Sequence, residues 1–193
     1  MNSFAFYFQL GWEHIISSDA LDHQLFIAAL ISLYLIKDWK QNLILVTAFT
    51  IGHSLTLALS VLDLVRISSN WVEFLIPLTI MVTAAMNLIQ PGSGGVSFKS
   101  KYGLAAGFGL VHGLGFANNI RFIIAEDESL ATNLLAFNLG LEVGQLLVVT
   151  GLLLLGYLLI QRLHLQKRFW SILLNGAAFA VALWTALHRI PVL

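Results

Sequence analysis

The chain has 193 residues, of which 58% are hydrophobic and 10% are charged, and its net charge is zero with histidine neutral. Soluble domains carry about 25% charged residues, so this composition, with a mean hydropathy of +0.84, predicts a membrane protein. The zero net charge gives no sign of a nucleic-acid partner. The chain has no cysteine, so a bound metal would be held by His, carboxylate, Met or amide groups.

Apolar segments along the chain predict an all-α membrane protein, a bundle of about six transmembrane helices. A spanning helix needs about 20 mostly apolar residues. An amphipathic N-terminal segment over residues 3–17 precedes a short first span and could lengthen it. The six predicted spans are residues 22–37, 41–63, 70–90, 102–124, 130–161 and 169–187. Because the connections are short, we expect residues 1–193 to form a single transmembrane domain.

The distribution of basic residues predicts the orientation, because Lys and Arg are in excess in cytoplasmic loops. With the N-terminus outside, the inner loops hold Lys37, Lys40, Lys99, Lys101, Arg162, Lys167 and Arg168. The outer side then holds only Arg66, Arg121 and Arg189. We therefore expect a multi-pass plasma-membrane protein with both termini outside. Its outer side, which includes the loop 125–129, would be acidic and would attract cations.

Ionisable groups within spans are rare and usually mark ion or proton paths. The stretch "HIISSDALDHQLF" places His14, Asp19, Asp22 and His23 at the outer mouth of the first span. Asp19 and His23 share a face if this segment is helical. Asp22 could bind a cation or could orient a histidine as a hydrogen-bond acceptor. The alternative is a helix-capping aspartate with two interfacial histidines.

Two further histidines lie near mid-depth. In "FTIGHSLTLAL", His53 is about 18 Å from the inner end of its span, in a hydrocarbon core about 30 Å thick. Ser54 points about 100° away from it. In "FGLVHGLGFANN", His112 is surrounded by glycines that let helices approach closely. Packing alone could explain the glycines, and a hydrogen bond to a hydroxyl across helices could explain a lone histidine.

A carboxylic acid also lies near mid-depth. In "FNLGLEVGQLL", Glu142 shares a helix face with Asn138 and Gln145. No Lys or Arg lies at that depth, so the carboxyl group must be protonated and hydrogen-bonded, or bound to a cation. Two imidazoles and a carboxylate suit a borderline divalent metal such as nickel, zinc, copper or cobalt. The sequence thus predicts a metal site formed by His53, His112 and Glu142.

Four stretches of the chain together resemble the HupE/UreJ family of bacterial membrane proteins. They are "GWEHIISSDALDHQLF", "FTIGHSLTL", "FGLVHGLGFA" and "FNLGLEVGQL". The resemblance runs from about Gly11 to Gln145 and implies six spans in the inner membrane and a role in nickel uptake. The functional residues that it implies are His14, Asp22, His23, His53, His112, Glu142 and Gln145.

One spacing departs from the family pattern. Seven residues separate His14 from Asp22, two more than in that pattern, and two residues rotate a continuous helix by about 200°. His14 therefore reaches the site only if "SSDA" forms a loop, and otherwise Asp19 contributes instead.

Two functions from different classes fit these residues. The first is a permease for a divalent metal cation, which the mouth and mid-depth residues bind in turn and which an ion gradient drives. The second is an intramembrane zinc hydrolase with a buried Glu as general base and Ser54 near the substrate. A membrane accessory protein that binds metal without transporting it is a third.

Sites at more than one depth favour the permease, because an enzyme needs one closed cluster. We therefore expect no enzyme. The expected partners are the lipid bilayer and a divalent cation, and the sequence is compatible with a homo-oligomer. Residues expected beside the site or along the path are Asp19, Ser54, Asn138 and Gln145.

Overall fold

The computed structural model describes residues 3–89, 98–125 and 130–191. Within these ranges the chain forms helices and turns but no strand, so the prediction of an all-α protein is confirmed. A π-helical turn, Leu158–Arg162, follows directly on α6, and 3₁₀ turns cover Ser18–Ala20 and Ile36–Asp38. The helices are α1 (Ser3–Ile16), α2 (Leu21–Ile31), α3 (Trp39–Val61), α4 (Ser69–Ile89), α5 (Phe98–Ala125), α6 (Leu130–Tyr157) and α7 (Lys167–His188).

Four helical segments of the described chain are long and apolar enough to cross a membrane, which supports the assignment to membrane proteins. They are Ile36–Val61, Ser69–Ile89, Leu130–Arg162 and Lys167–His188. Their outward faces carry large exposed apolar side chains such as Leu147 and Leu154. The count of six spans stays a prediction, since it also requires α5 and the N-terminal helices to cross. Most of the predicted acidic loop, residues 126–129, lies outside the described residues.

The N-terminal part differs from the predicted single span 22–37. Helix α2 already ends at Ile31. Helices α1 and α2 lie end to end alongside α6 and run parallel to it. Ser3 donates a 2.8 Å hydrogen bond to Asn133 near the start of α6. Ile31 lies with Gly156 beside a small cavity at the other end of α6. In place of the predicted continuous helix over residues 22–37, the N-terminal part is therefore a helix broken in the middle.

The break has a local chemical cause. Ser17 is in an extended conformation and ends α1, and Ser18–Ala20 form a 3₁₀ turn before α2 begins. Ser and Asp favour such turns because their side chains compete with the helix for backbone groups. The Gln24 amide donates to the carbonyls of Ile15 and Ser17, at 3.1 and 3.0 Å. The Ser17 carbonyl also accepts a 3.1 Å bond from the backbone N–H of Ala20, so hydrogen bonds from both the backbone and the Gln24 side chain stabilise the break.

Glycines set the closest helix contacts. A Cβ atom on Gly52 would overlap the carbonyl of Ala106, and one on Gly109 would overlap the carbonyl of Phe49. Helices α3 and α5 can therefore lie backbone to backbone, as small residues allow in membrane bundles. This contact keeps His53 and His112 on neighbouring helix faces in the same interior region.

A buried polar network anchors α2 to α4 and α7. Asn87 of α4 donates to the carbonyl of Ala29 at 2.8 Å and to Asn175 of α7 at 3.1 Å. Asn175 in turn donates to the Ser32 hydroxyl at 2.7 Å. These bonds hold the C-terminal end of α2. They therefore also fix where its first turn, at the opposite end, lies relative to α4 and α7.

Candidate metal centre

Three histidines from three helices meet inside the bundle. His14 comes from the last turn of α1, His23 from the first turn of α2 and His53 from the middle of α3. One ring nitrogen of each lies within 4.8 Å of the others. The exposed fractions of His23 and His53 are only 3% and 0%. The break at residues 17–20 lets His14 return, so its ring centroid lies 4.6 Å from that of His23.

A fourth histidine extends this group. The ring centroid of His112 on α5 lies 5.0 Å from that of His23. Its Nε2 is 3.0 Å from the hydroxyl of Thr79 on α4, and its buried Nδ1 forms no hydrogen bond with any described residue. Sequence reasoning did not identify Thr79, because a hydroxyl in a span carries no signal by itself. We call His14, His23, His53 and His112 the histidine cluster.

The histidine cluster contains several buried ring nitrogens that have no hydrogen-bond partner in residues 3–89, 98–125 and 130–191 as far as their side chains are described. They are Nε2 of His14, Nε2 of His23, both ring nitrogens of His53 and Nδ1 of His112. A buried polar group left unpaired costs about 1–3 kcal/mol, so these nitrogens are available to pair with a molecule outside the chain, either an ion or water. Neutral imidazole nitrogens are good ligands for borderline divalent metals. In tetrahedral geometry such nitrogens lie about 3.3 Å apart, so a modest contraction would complete a site.

Asp22 determines which nitrogen of His23 faces the cluster. Its Oδ1 accepts hydrogen bonds from Nδ1 of His23 at 2.9 Å and from the backbone N–H of His23 at 2.8 Å. This leaves Nε2 of His23 with its lone pair free, as in metal sites where a carboxylate orients a histidine. Of the two predicted roles for Asp22, the geometry therefore favours orienting the histidine. Asp22 does not cap α2, whose N-cap is Ala20.

An open cavity of about 310 Å³ reaches the histidine cluster from the predicted outer side. Its rim carries three carboxylates and one guanidinium, those of Asp19, Asp22, Glu73 and Arg189. Asp19 is exposed and belongs to the 3₁₀ turn, so it does not share a helix face with His23 as a continuous helix would require. A cation approaching from this side meets mostly negative charge.

Glu142 lies outside the histidine cluster. Its Oε1 accepts a 2.7 Å hydrogen bond from the Thr47 hydroxyl, and its buried Oε2 has no partner among the residues that the structure describes. Gln145 accepts a 2.7 Å bond from Thr50 in the same way. Thr47 precedes His53 by about 9 Å along α3. The predicted grouping of His53 and His112 with Glu142 is therefore not what the structure brings together.

The other predicted path residues bond locally. The Ser54 hydroxyl donates to the carbonyl of Thr50 at 2.7 Å, and the Asn138 amide donates to the carbonyl of Leu134 at 2.8 Å. Neither bond involves the histidine cluster. The buried Oδ1 of Asn138 has no hydrogen-bond partner within the described ranges.

Phenylalanine rings wall the histidine cluster. The centroid of Phe116 lies 3.9 Å from that of His14, and Phe49 lies 5.1 Å from His112. Phe137 stacks on His53 at 6.4 Å. These rings exclude water from one side of the cluster and lower the local dielectric, which strengthens electrostatic interactions there. The cavity is the polar side from which an ion can reach the histidine cluster.

The described helices and the buried histidine cluster define an integral membrane protein with a candidate metal site. The profile of the family described as HupE / UreJ protein matches residues 1–189, and the chain therefore belongs to this family. Membership agrees with a transporter-type protein concerned with transition metals rather than with a known enzyme. No curated protein and no solved structure matches the chain.

Proposed function

We propose that the protein is a membrane permease for a divalent transition-metal cation, which the histidine cluster binds during passage. The observation that carries the proposal is the group of buried, unpartnered ring nitrogens at the end of a cavity with an acidic rim. Family membership supports the same class of function. Nickel is the proposed cation from the family resemblance, whereas the ligand types alone also suit zinc, copper and cobalt.

The path begins at the rim, where the carboxylates of Asp19 and Glu73 concentrate cations near the cavity. Imidazole nitrogens then replace part of the water shell of the ion, and Asp22 keeps His23 in the tautomer that binds. Inward of the cluster, oxygen atoms of Glu142 and Gln145 offer the next ligands. An inside-negative membrane potential drives a cation inward by about 2.3 kcal/mol per charge per 100 mV.

Uptake of nickel into proteoliposomes tests this proposal. We expect the wild-type protein to admit nickel and the His14→Ala/His53→Ala variant to show background uptake. His164→Asn is the matched control, because His164 is exposed, lies outside the cluster and has a positive φ that Asn tolerates. Equal uptake by the double variant and the wild type would refute the proposal. Metal binding without uptake by the wild type would indicate the accessory protein instead.

One observation favours the hydrolase as a second candidate. Three histidines within 4.8 Å form a single compact group, as catalytic zinc sites require. However, the predicted general base Glu142 bonds to Thr47, and the Ser54 hydroxyl bonds to a backbone carbonyl. The hydrolase therefore lacks both groups that were expected to act beside the metal. Zinc-loaded protein that cleaves a membrane peptide or a lipid ester without moving metal would favour this candidate.

A further inference from the structure

Two helix pairs in this protein, α1 with α6 and α3 with α5, pack by one scheme. In each pair, a glycine of either helix lies against a backbone carbonyl of the other, where a Cβ atom would overlap. In the first pair the contacts join Gly11 to Phe137 and Gly140 to Phe8. In the second pair they join Gly109 to Phe49 and Gly52 to Ala106.

The contacts of the two pairs are in register. Phe8 and Gly11 of α1 have the same spacing as Ala106 and Gly109 of α5, and Phe49 and Gly52 of α3 have the same spacing as Phe137 and Gly140 of α6. When these residues are matched, each contact of one helix pair corresponds to a contact of the other pair. The sequence follows the same register. "GWEH" at 11–14 corresponds to "GLVH" at 109–112, and "AFTIG" at 48–52 corresponds to "AFNLG" at 136–140. From this correspondence we infer that helices α1–α4 and helices α5–α7 are two copies of one three-helix unit, with α1 and α2 counted as one broken helix.

The two copies run in opposite directions. Helices α1 and α2 run parallel to α6, whereas α3 runs antiparallel to them. Leu45, near the start of α3, packs with Tyr34, just after the end of α2, and His53, further along α3, lies beside His14 at the end of α1. The third helices, α4 and α7, are antiparallel and meet at Asn87 and Asn175. Inverted repeats of this kind are the architecture of many secondary transporters, whose binding site lies at the interface of the repeats.

The histidine cluster lies at this interface. His14 and His112 occupy equivalent positions in the two repeats, three residues after Gly11 and Gly109. In inverted-repeat transporters, access alternates as one repeat moves against the other around a fixed site. The present form opens the cluster to the cavity of about 310 Å³ on the predicted outer side.

The inward side of the cluster is closed by contacts between α3 and α6, which are equivalent helices of the two repeats. Thr47 donates to Glu142 and Thr50 donates to Gln145, each at 2.7 Å. Asn42 lies further toward the start of α3 and is buried, and neither of its amide atoms has a hydrogen-bond partner among the described residues. An unpaired buried amide costs free energy and fits a position that becomes wet in another state.

We propose that the Thr47–Glu142 and Thr50–Gln145 hydrogen bonds form an inner gate, which parts as the protein changes to an inward-open form. Parting frees oxygen atoms of Glu142 and Gln145 for the departing cation. Oxygen ligands suit a borderline metal less well than imidazole does, so the ion is passed to a weaker site and released. The role of the gate in transport rests on the proposed permease function, but its movement can be measured without metal.

The chain has no cysteine, so single cysteines can report access from each side of a membrane vesicle. Asn42→Cys reports the inner path, Glu73→Cys reports the outer cavity, and Leu43→Cys, on the exposed face of α3, is the control. Thr47→Val/Thr50→Val removes both gate donors with little change of shape. With a membrane-impermeant maleimide, we expect this change to raise inner labelling at position 42 several-fold and to lower outer labelling at position 73. Unchanged labelling at both reporters would overturn the proposal.

A cross-link provides a second test, in which the disulfide and reduced forms of one variant are compared with each other. The reduced Thr50→Cys/Gln145→Cys variant should take up metal more slowly than the wild type, because it lacks the Gln145 oxygen, and oxidation to the disulfide should abolish this remaining uptake reversibly while metal binding to the histidine cluster persists. Unhindered uptake with the disulfide formed would overturn the gate. A wild-type protein that neither binds nor moves metal would instead defeat the proposed function, and the maleimide result would still decide on the gate.

Discussion

His53 is completely buried, and within the described part of the chain neither of its ring nitrogens has a hydrogen-bond partner. Each unpaired nitrogen costs about 1–3 kcal/mol, so an apolar residue would serve the fold better at this position. The equivalent residue in the second repeat is Leu141, which is equally buried. A histidine that is unfavourable for folding and surrounded by other histidines is best explained by a ligand.

His53→Leu should therefore separate binding from stability. We expect the variant to lose metal binding, while the metal-free protein becomes more stable by about 1 kcal/mol or more because the unpaired nitrogens are removed. Unfolding by denaturing detergent, with chelator present, measures the change in free energy. A metal-free variant that is clearly less stable than the wild type would show that His53 has a structural role.

Asp22 acts on the site through His23. In Asp22→Asn the negative charge that holds the proton on Nδ1 of His23 is lost, so we expect metal affinity to fall by about 10–100-fold. Glu13→Gln is the control, since it neutralises an exposed carboxylate beside His14 that bonds only to Gln9 among the described contacts. Isothermal titration with nickel measures both affinities. An equal loss in the two variants would mean that general charge, and not orientation of His23, explains the effect.

The types of residue in the site were predictable from the sequence, but their grouping was only partly so. Counting residues from the end of a span gives the height of a side chain and not the direction in which it points. Glu142 was therefore grouped with His53 and His112, although the structure pairs it with Thr47. Thr79, which lies against His112, has no sequence signal beyond its hydroxyl group.

The broken helix formed by α1 and α2 is the element that assembles the site. A continuous helix would turn His14 away from His23, whereas the turn at Ser18–Ala20 brings their rings together. The sequence indicated this condition through the spacing of His14 and Asp22. The sequence did not indicate that α1 packs alongside α6, because the residues in contact between these two helices are far apart in the chain.

Glycines on α5 provide a prediction about helix packing. A Cβ at Gly109 would overlap the backbone of α3 at Phe49, which cannot move aside, whereas Gly107 has open space. We expect Gly109→Ala to destabilise the protein by about 1–3 kcal/mol, or more, through overpacking. Gly107→Ala should be neutral or stabilising, because Ala is the better helix former. Thermal unfolding in detergent compares them, and equal stabilities would contradict the close packing of α3 and α5.

At the scale of the whole molecule, composition and the four motifs were sufficient for the all-α class and the family. The relation between the two halves was harder to predict. "GWEH" and "GLVH" share only their glycine and histidine, and the repeat becomes evident when the register of the glycine contacts is compared. The internal symmetry then explains why two of the four histidines come from equivalent positions on different helices.

The metal content of the purified protein tests the central claim most directly. The wild type, His14→Ala/His53→Ala and Glu142→Gln are each exposed to equimolar nickel, cobalt, copper and zinc, and bound metal is measured by elemental mass spectrometry. We predict about one ion per chain in the wild type and in Glu142→Gln, and none in the double histidine variant. Metal that persists without the two histidines and disappears with Glu142→Gln would contradict this account of the site.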